Sequence, residues 1–272
     1  MNLKQYALLS SIGLVVGGIP LVAAPASSFY SFDGTTYSEN FNSLPASLTT
    51  EAGQYVATDI TGYTGWQVTN AGSSSSAIAW RGLSAGTGTA SGYYGLGNTG
   101  DYALGGLSNG GSAKPAFGIT LLNTSGAQIN SLSISFDVEQ WRVGTTNSAN
   151  VLAFEYKLSN TYASIAGAVD NISFLSPGTS ANVSSFVSST IASSLDGNAA
   201  ANRTSVTLGL TSLAWNAGEY LVLRWELQSG SLDAMGIDNV TISGIPEPAT
   251  YAMLFGMITF LGVTLRRRPR RS

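Results

Sequence analysis

The chain reads as all-β: one antiparallel β-sandwich, with a different kind of segment at each end. Apolar and polar residues alternate with period two between clusters of Gly, Ser, Thr and Asn, which is the signature of strands with one buried face. No stretch of the body repeats its apolar residues at the 3.6-residue spacing of an amphipathic helix. Setting aside residues 1–26 and 245–272 leaves 27–244, long enough for one sandwich with a substantial core.

Taken in order, the N-terminus has the build of an export signal: Lys4, an apolar run over 6–18, then Ala24-Pro25-Ala26, with cleavage expected after Ala26. Short strands follow near 54–57, 66–69 and 77–80. The glycine-rich stretch 82–111 also carries Tyr93, Tyr94, Leu96, Tyr102 and Leu104, too many large apolar groups for a linker, so strands and tight turns are expected there. A strand near 117–122 precedes the clearest alternation, over 131–139: Leu132, Ile134, Phe136 and Val138 on one face, and Ser133, Ser135, Asp137 and Glu139 on the other. Residues 151–158 repeat the pattern, with Leu152, Phe154, Tyr156 and Leu158 inward and Glu155 and Lys157 outward. The polar interruption 176–202 contains the turn Leu195-Asp196-Gly197-Asn198 and is read with a short helix around 183–191. Val206, Leu208 and Leu210 form the next strand, Leu221, Leu223, Trp225 and Leu227 another, and Val240 and Ile242 close the domain. About ten short strands at this spacing make a sandwich or barrel.

Charge and missing residue types restrict the chemistry. Lys4 and five tail arginines take six of the 12 basic residues, whereas only Glu247 of the 15 acidic ones lies in the ends, so the body carries 14 acidic against six basic side chains. Such a surface offers nothing to nucleic acid, which asks for a basic face. The chain has 0 His and 0 Cys. No Ser-His-Asp or Cys-His apparatus can form, nor a zinc site of imidazole or thiolate. Only oxygen-ligand cations such as calcium remain natural, and Asp33, Asp196, Asn198, Asn202, Asp238 and Asn239 are the side chains that could supply them. Simple Asx-turns explain the same residues, so no metal ligand is assigned.

The last residues are the most specific part of the chain. Pro246-Glu247-Pro248 leads into an apolar span over 251–265, and Arg266, Arg267, Arg268, Arg270 and Arg271 follow. From Ala249 to Leu265 the span is 17 residues, the lower limit for crossing a hydrocarbon core, with arginine stems able to reach the headgroups. The arginines belong in the cytoplasm and the body outside it. This three-part order resembles the PEP-CTERM sorting signal of Gram-negative envelope proteins. The resemblance implies an exosortase partner in the inner membrane, anchoring through the C-terminal helix before processing, and then a cell-surface or extracellular location among exopolysaccharide. Pro246, Glu247, Pro248, Arg266, Arg267 and Arg268 are the sorting residues it implies.

The body has a resemblance of its own. The stretch 29–44, Glu139-Gln140-Trp141-Arg142, Leu195-Asp196-Gly197-Asn198 with Asn202-Arg203, Leu213-Ala214-Trp215, Leu223-Arg224-Trp225 and Gly236-Ile237-Asp238-Asn239-Val240 look like a β-rich module of bacterial secreted proteins that often precedes such a tail. The Ile-Asp-Asn-Val segment is similar to the last strand of concanavalin-like jelly rolls, which implies a jelly-roll-like sandwich. The module implies no activity.

Candidate binding residues cluster on the strongest strand. Asp137, Glu139 and Trp141 share its outward parity, and Arg142 adjoins them. An exposed tryptophan could stack on a sugar ring while the charged groups bond its hydroxyls. Two carboxylates are also what a glycosidase needs, and Glu226 with Glu155 could complete a dyad. The plainer expectation is that Asp137 and Glu139 are solvated, that Trp141 breaks the alternation with Val138 and caps the core after a bulge, that Arg142 and Arg224 pair with Glu139 or Glu226 across strands, and that Trp66, Trp215 and Trp225 look like core or sandwich-edge residues. No catalytic residue is assigned. The function expected is a structural or adhesive role in exopolysaccharide or biofilm; a carbohydrate-binding module is the alternative, and a glycoside hydrolase or lyase a third reading.

Overall fold

A computed structural model describes residues 28–48, 51–52, 56–72, 78–98, 100–109, 113–166, 173–228 and 232–245. The expected signal peptide at 1–26 and the tail from Pro246 onward lie outside these residues. In chain order the strands are β1 (Tyr30–Phe32), β2 (Tyr37–Glu39), β3 (Glu51–Ala52), β4 (Thr58–Asp59), β5 (Trp66–Asn70), β6 (Ile78–Ser84), β7 (Gly92–Asn98) and β8 (Asp101–Leu107). They continue as β9 (Pro115–Asn123), β10 (Leu132–Val143), β11 (Val151–Ser159), β12 (Val183–Ser184), β13 (Ser193–Ser194), β14 (Arg203–Leu210), β15 (Tyr220–Leu227) and β16 (Ala234–Gly244).

Two sheets result. The seven-stranded sheet runs β12-β11-β15-β9-β5-β4, with β1 beside β9, and the nine-stranded sheet runs β13-β10-β16-β8-β7-β6-β3, with β14 beside β10 and β2 beside β16. The all-β sandwich expected from the alternation is therefore present. Its pairing is antiparallel except at two places, β1 with β9 and β6 with β7, which are parallel. The helix expected around 183–191 is absent: that stretch holds the two-residue β12 and irregular chain, preceded by a single 3-10 turn at Thr179–Ala181. Gln140 explains why. Its buried side chain accepts from the backbone N–H groups of Phe186 (2.7 Å) and Val187 (2.8 Å) and donates to the Val187 carbonyl (2.8 Å), groups a helix would have bonded internally.

The inward faces of both sheets meet in one cluster. Leu132, Ile134, Phe136 and Val138 from β10, Leu152 and Phe154 from β11, and Leu221, Leu223, Trp225 and Leu227 from β15 all belong to it, so the sequence alternation gives the correct inward face for each of these strands. Trp225 touches aromatic rings from both sheets. Its ring centroid lies 5.9 Å from Trp66 of its own sheet, 5.1 Å from Phe154, and 5.3 Å from Phe136 of the facing sheet. Trp66, Trp215 and Trp225 are core residues, as expected.

Two β-bulges set which side chains reach the outer face of the nine-stranded sheet. The β10–β16 register shifts between Ser135 and Asp137 and again between Gln140 and Arg142. At the first, Asn239 of β16 adopts φ 50°, and the extra residue lets both Ile237 and Val240 face the core while Asp238 faces outward. At the second, Trp141 is the extra residue of β10.

Truncating Phe136 to Ala should cost about 3–5 kcal/mol, since it removes a ring that bridges the sheets. Ser135→Ala, on the opposite face of the same strand, should stay within about 0.5 kcal/mol. Urea unfolding midpoints of the two variants compare them directly, and equal midpoints would contradict the register.

Candidate functional site: two outer faces of the sandwich

The sequence-selected residues fall on opposite outer faces. Asp137, Glu139 and Trp141 lie on the nine-stranded sheet, Glu155 and Glu226 on the seven-stranded one. With the core between them, Glu226 cannot complete a dyad with Glu139.

On the nine-stranded sheet the expected solvated carboxylates are buried: Asp137 is 8% exposed and Glu139 1%. Asp137 accepts from Arg203 Nη2 of β14 at 2.7 Å, from the Ser205 hydroxyl and from Asn239 Nδ2 at 3.0 Å. Glu139 Oε2 accepts from the indole N–H of Trp141 at 2.9 Å, while its Oε1 has no hydrogen-bond partner among the described residues. Burial, the largest influence, pushes the Glu139 carboxyl above its ordinary range; Asp101 and Asp137 add to this, while the Trp141 bond and Arg203 pull against it. The neighbouring Asp238 is 3% exposed and leaves its Oδ1 without a partner. Arg142 does not pair with Glu139; its Nη1 reaches the carbonyl of Gly86 at 3.3 Å.

Trp141 follows the plainer expectation, buried at a bulge, and not the stacking one. Its ring is 0% exposed and packs in a second apolar cluster with Tyr94, Leu96, Ala103, Leu107 and Ala234. The loop after β13 closes over it: Leu195 N–H bonds the Trp141 carbonyl at 2.8 Å, and a Cβ on Gly197 would lie 2.3 Å from the indole ring. No face of this ring is open to a sugar. The turn residues behave as Asx-turns. Asp33 Oδ1 accepts from the Thr35 N–H at 2.9 Å, and Asp196 Oδ1 from the Asn198 N–H at 3.1 Å. Among the described residues no group of three acidic side chains closes around a metal ion.

On the seven-stranded sheet Glu155 and Glu226 do converge, with Arg224 between them. Arg224 donates to Glu155 Oε2 through Nε at 3.1 Å and through Nη2, and its Nη2 lies 3.2 Å from Glu226 Oε2. The guanidinium sits 3.8 Å over the ring of Phe174. Lys114 approaches Glu226 at 3.7 Å and Gln228 donates to it at 3.0 Å. Burial raises the Glu226 pKa and Arg224 lowers it. The pairing expected for Arg224 is thus present, with Glu155 as its register neighbour on β11.

A group that sequence reasoning did not select lies at the end of this sheet. Phe29 precedes β1, Tyr162 follows β11, and Tyr220 opens β15 on its outward face. Phe29 and Tyr220 meet at 5.5 Å and 80° between planes, Tyr162 and Tyr220 at 5.8 Å and 90°. None of the three is buried. They are the one set of contacting rings among the described residues with that property. Their mounting is stiff. Gln67 Nε2 donates to the Tyr162 hydroxyl at 2.9 Å and to Asp59 at 2.8 Å, while Gln67 Oε1 accepts from the Ile165 N–H at 3.3 Å. Gly65, at φ +83°, lets the backbone before β1 come close: a Cβ there would lie 2.7 Å from Tyr30 N. Beside Phe29 an open depression of about 260 Å³ is lined by Ser28, Ile60, Gly62, Tyr63 and Thr64.

No protein-family model matches the chain, and no curated protein matches it. Solved structures align with it along most of their length. The CBM22-1 xylan-binding domain of Xyn10C from Paenibacillus barcinonensis aligns at 10% identity and TM-score 0.37, covering 79% of this chain and 97% of that one. The K3 cleaved adhesin domain of Lys-gingipain from Porphyromonas gingivalis aligns at 12% identity and TM-score 0.39, covering 76% and 98%. The xylan-binding module CBM15 aligns at 13% identity and TM-score 0.34, covering 71% and 97%.

Gly197→Ala should destabilise the sandwich by about 1–3 kcal/mol by forcing a methyl group into the Trp141 ring. Trp141→Phe keeps most of the ring but leaves Glu139 without its donor, and should cost about 1–3 kcal/mol. Thermal unfolding followed by near-ultraviolet circular dichroism reads both. A Trp141→Phe variant as stable as the parent would mean that the indole bond to Glu139 contributes nothing.

Proposed function

We propose that this chain is an exported, non-catalytic glycan-binding protein, whose jelly-roll-like sandwich grips a neutral polysaccharide through Phe29, Tyr162 and Tyr220. The observation that carries the reading is that partly exposed trio, three rings from separate parts of the chain, with Phe29 and Tyr162 each set edge-on against Tyr220. Aromatic faces and edges offer apolar area at small entropic cost, with a hydroxyl at the tip of each tyrosine. The exposed Asp59 carboxylate, linked to Tyr162 through the buried Gln67, adds a polar group beside them. A binding role is favoured over hydrolysis because the carboxylates that sequence suggested for catalysis are engaged or closed off: Asp137 is held by Arg203, Glu155 and Glu226 by Arg224, and Glu139 is buried against Trp141.

The setting is part of the proposal. The order Pro246-Glu247-Pro248, apolar span and arginine cluster supports export, exosortase recognition and delivery to the cell surface or the exopolysaccharide matrix. Adhesion to that matrix is then what the glycan grip serves.

A glycan array probed with the chain should return neutral polysaccharides ahead of uronic-acid polymers. Tyr220→Ala should weaken the best hit about tenfold or more, as loss of a central aromatic anchor does, whereas Glu139→Gln should leave it unchanged. Reducing-sugar release from the same glycan, lost in Glu155→Gln or Glu226→Gln, would make the protein an enzyme and overturn the proposal. Alanine at Pro246, Glu247 and Pro248 should leave export intact but retain the protein in the inner membrane, which fractionation with intact-mass analysis reads. Normal release of that variant would refute the sorting half.

A further inference from the structure

Three carboxylates crowd the β10–β16 seam, and too few cations meet them. Asp238 of β16 stands directly opposite Asp137 of β10, and Glu139 opposite Gly236, so Asp238 and Glu139 are diagonal neighbours on one face, within reach of long side chains. The charged groups facing them are Asp137 from β10, Arg203 from β14 and Asp101 from β8. Arg203 is engaged by Asp137 at 2.7 Å. Glu139 Oε1 and Asp238 Oδ1 are then two buried carboxylate oxygens with no donor among the described residues, an arrangement that is strongly unfavourable if both groups are ionised. A third charge must be absent or neutralised. A metal ion is the less suitable remedy, since no three acidic side chains among the described residues close around one. A proton needs only the two oxygens.

We propose that Asp238 and Glu139 share one proton across the β10–β16 seam, forming an acid–carboxylate clamp that makes the sandwich sensitive to pH between the acidic and neutral ranges. Asp238 Oδ1 carries the proton and Glu139 Oε1 accepts it. The assignment follows from the groups each already has: the Trp141 indole N–H and Arg203 both favour the ionised form of Glu139, whereas among the described residues Asp238 has only the backbone N–H of Asn239. Burial, the largest influence, pushes the Asp238 carboxyl up to about 7 with help from Glu139, Asp101 and Asp137, while the Asn239 N–H pulls against it. With 0 His in the chain, no imidazole competes for that range.

The sign follows from linkage. Asp238 titrates higher in the folded than in the unfolded chain, so the folded state binds more protons between about 4 and about 7. Its contribution is full below the unfolded value and is lost as pH rises through the folded one. When the proton leaves for solvent, two buried carboxylates repel across the Val138–Ile237 pair, next to the bulge at Asn239, whose side-chain amide holds Asp137.

Carboxyl carbon NMR of the full-length chain tests the clamp directly. Asp238 should titrate near pH 7 in the parent, and clearly lower in Glu139→Gln, which removes the neighbouring charge. Urea midpoints should fall from pH 4 to pH 7 in the parent, and Asp238→Asn, which keeps an N–H for Glu139 but cannot ionise, should lose much of that slope. Titration of Asp238 below pH 5, or an unchanged slope in Asp238→Asn, would overturn the clamp. A rise in melting temperature on adding calcium, present in the parent and absent in Asp238→Asn, would replace the proton with a cation and overturn it equally.

Discussion

Everything in this molecule depends on Trp225 holding the two sheets together. With 0 Cys in the chain, no covalent staple closes the sandwich, so the inner faces must interlock by shape. Trp225 sits on β15, near the middle of its sheet, and touches Trp66, Phe154 and the facing Phe136. Its indole N–H has no hydrogen-bond partner among the described residues. An unmade bond of that kind is unfavourable by about 1–3 kcal/mol, and what offsets it is the area and close packing of a large flat ring. Around this contact, β9 and β11 flank β15 in one sheet, while β14 and β16 flank β10 in the other. Both candidate faces are therefore the outsides of strands whose insides it holds in register.

The inward half of each long strand was legible in the sequence, and the outward half was not. Leu132 to Val138 alternate because every second residue meets the same core, and a period of two records that without further information. The other parity, Ser133, Ser135, Asp137 and Glu139, reads as solvent-facing because its residues are polar. In the structure the β7–β8 hairpin supplies Tyr94, Leu96, Ala103 and Leu107 to that side, and the loop at Gly197 closes over Trp141. Those contacts come from distant parts of the sequence, so no local pattern announces them. The bulge at Trp141 shows in the broken alternation, but the one at Asn239 is hidden: whether Asp238 or Asn239 is the extra residue depends on what β10 does opposite. The parallel pairings of β1 and β6 leave no mark either, since turn residues signal hairpins and not parallel neighbours. The aromatic trio is the extreme case. Phe29, Tyr162 and Tyr220 share no motif, and only the meeting of β1, β9, β11 and β15 at one end of a sheet brings them together.

The body's few basic groups explain the difference between its faces. Arg203 is engaged by Asp137, Arg224 and Lys114 approach Glu155 and Glu226, and Arg81 and Arg142 donate to the carbonyls of Ser91 and Gly86. Cations used in this way neutralise buried carboxylates and tie loops to strands. The same assignment leaves the solvent-facing surface dominated by acidic side chains. An anionic polymer would meet repulsion on approach, with no free guanidinium among these to repay it.

That electrostatic constraint and the aromatic trio narrow the ligand together, although each alone would leave it open. Stacking on rings is indifferent to charge, so Phe29, Tyr162 and Tyr220 would accept any sugar with an apolar face. The acidic surface is indifferent to ring chemistry, so it would repel any polyanion. A polymer that satisfies both is a neutral glycan, held by apolar contact and by hydroxyl bonds to groups such as the exposed Asp59. Weak contacts of this kind suit an adhesive protein in a matrix, where many copies on a repeating polymer multiply a modest single affinity.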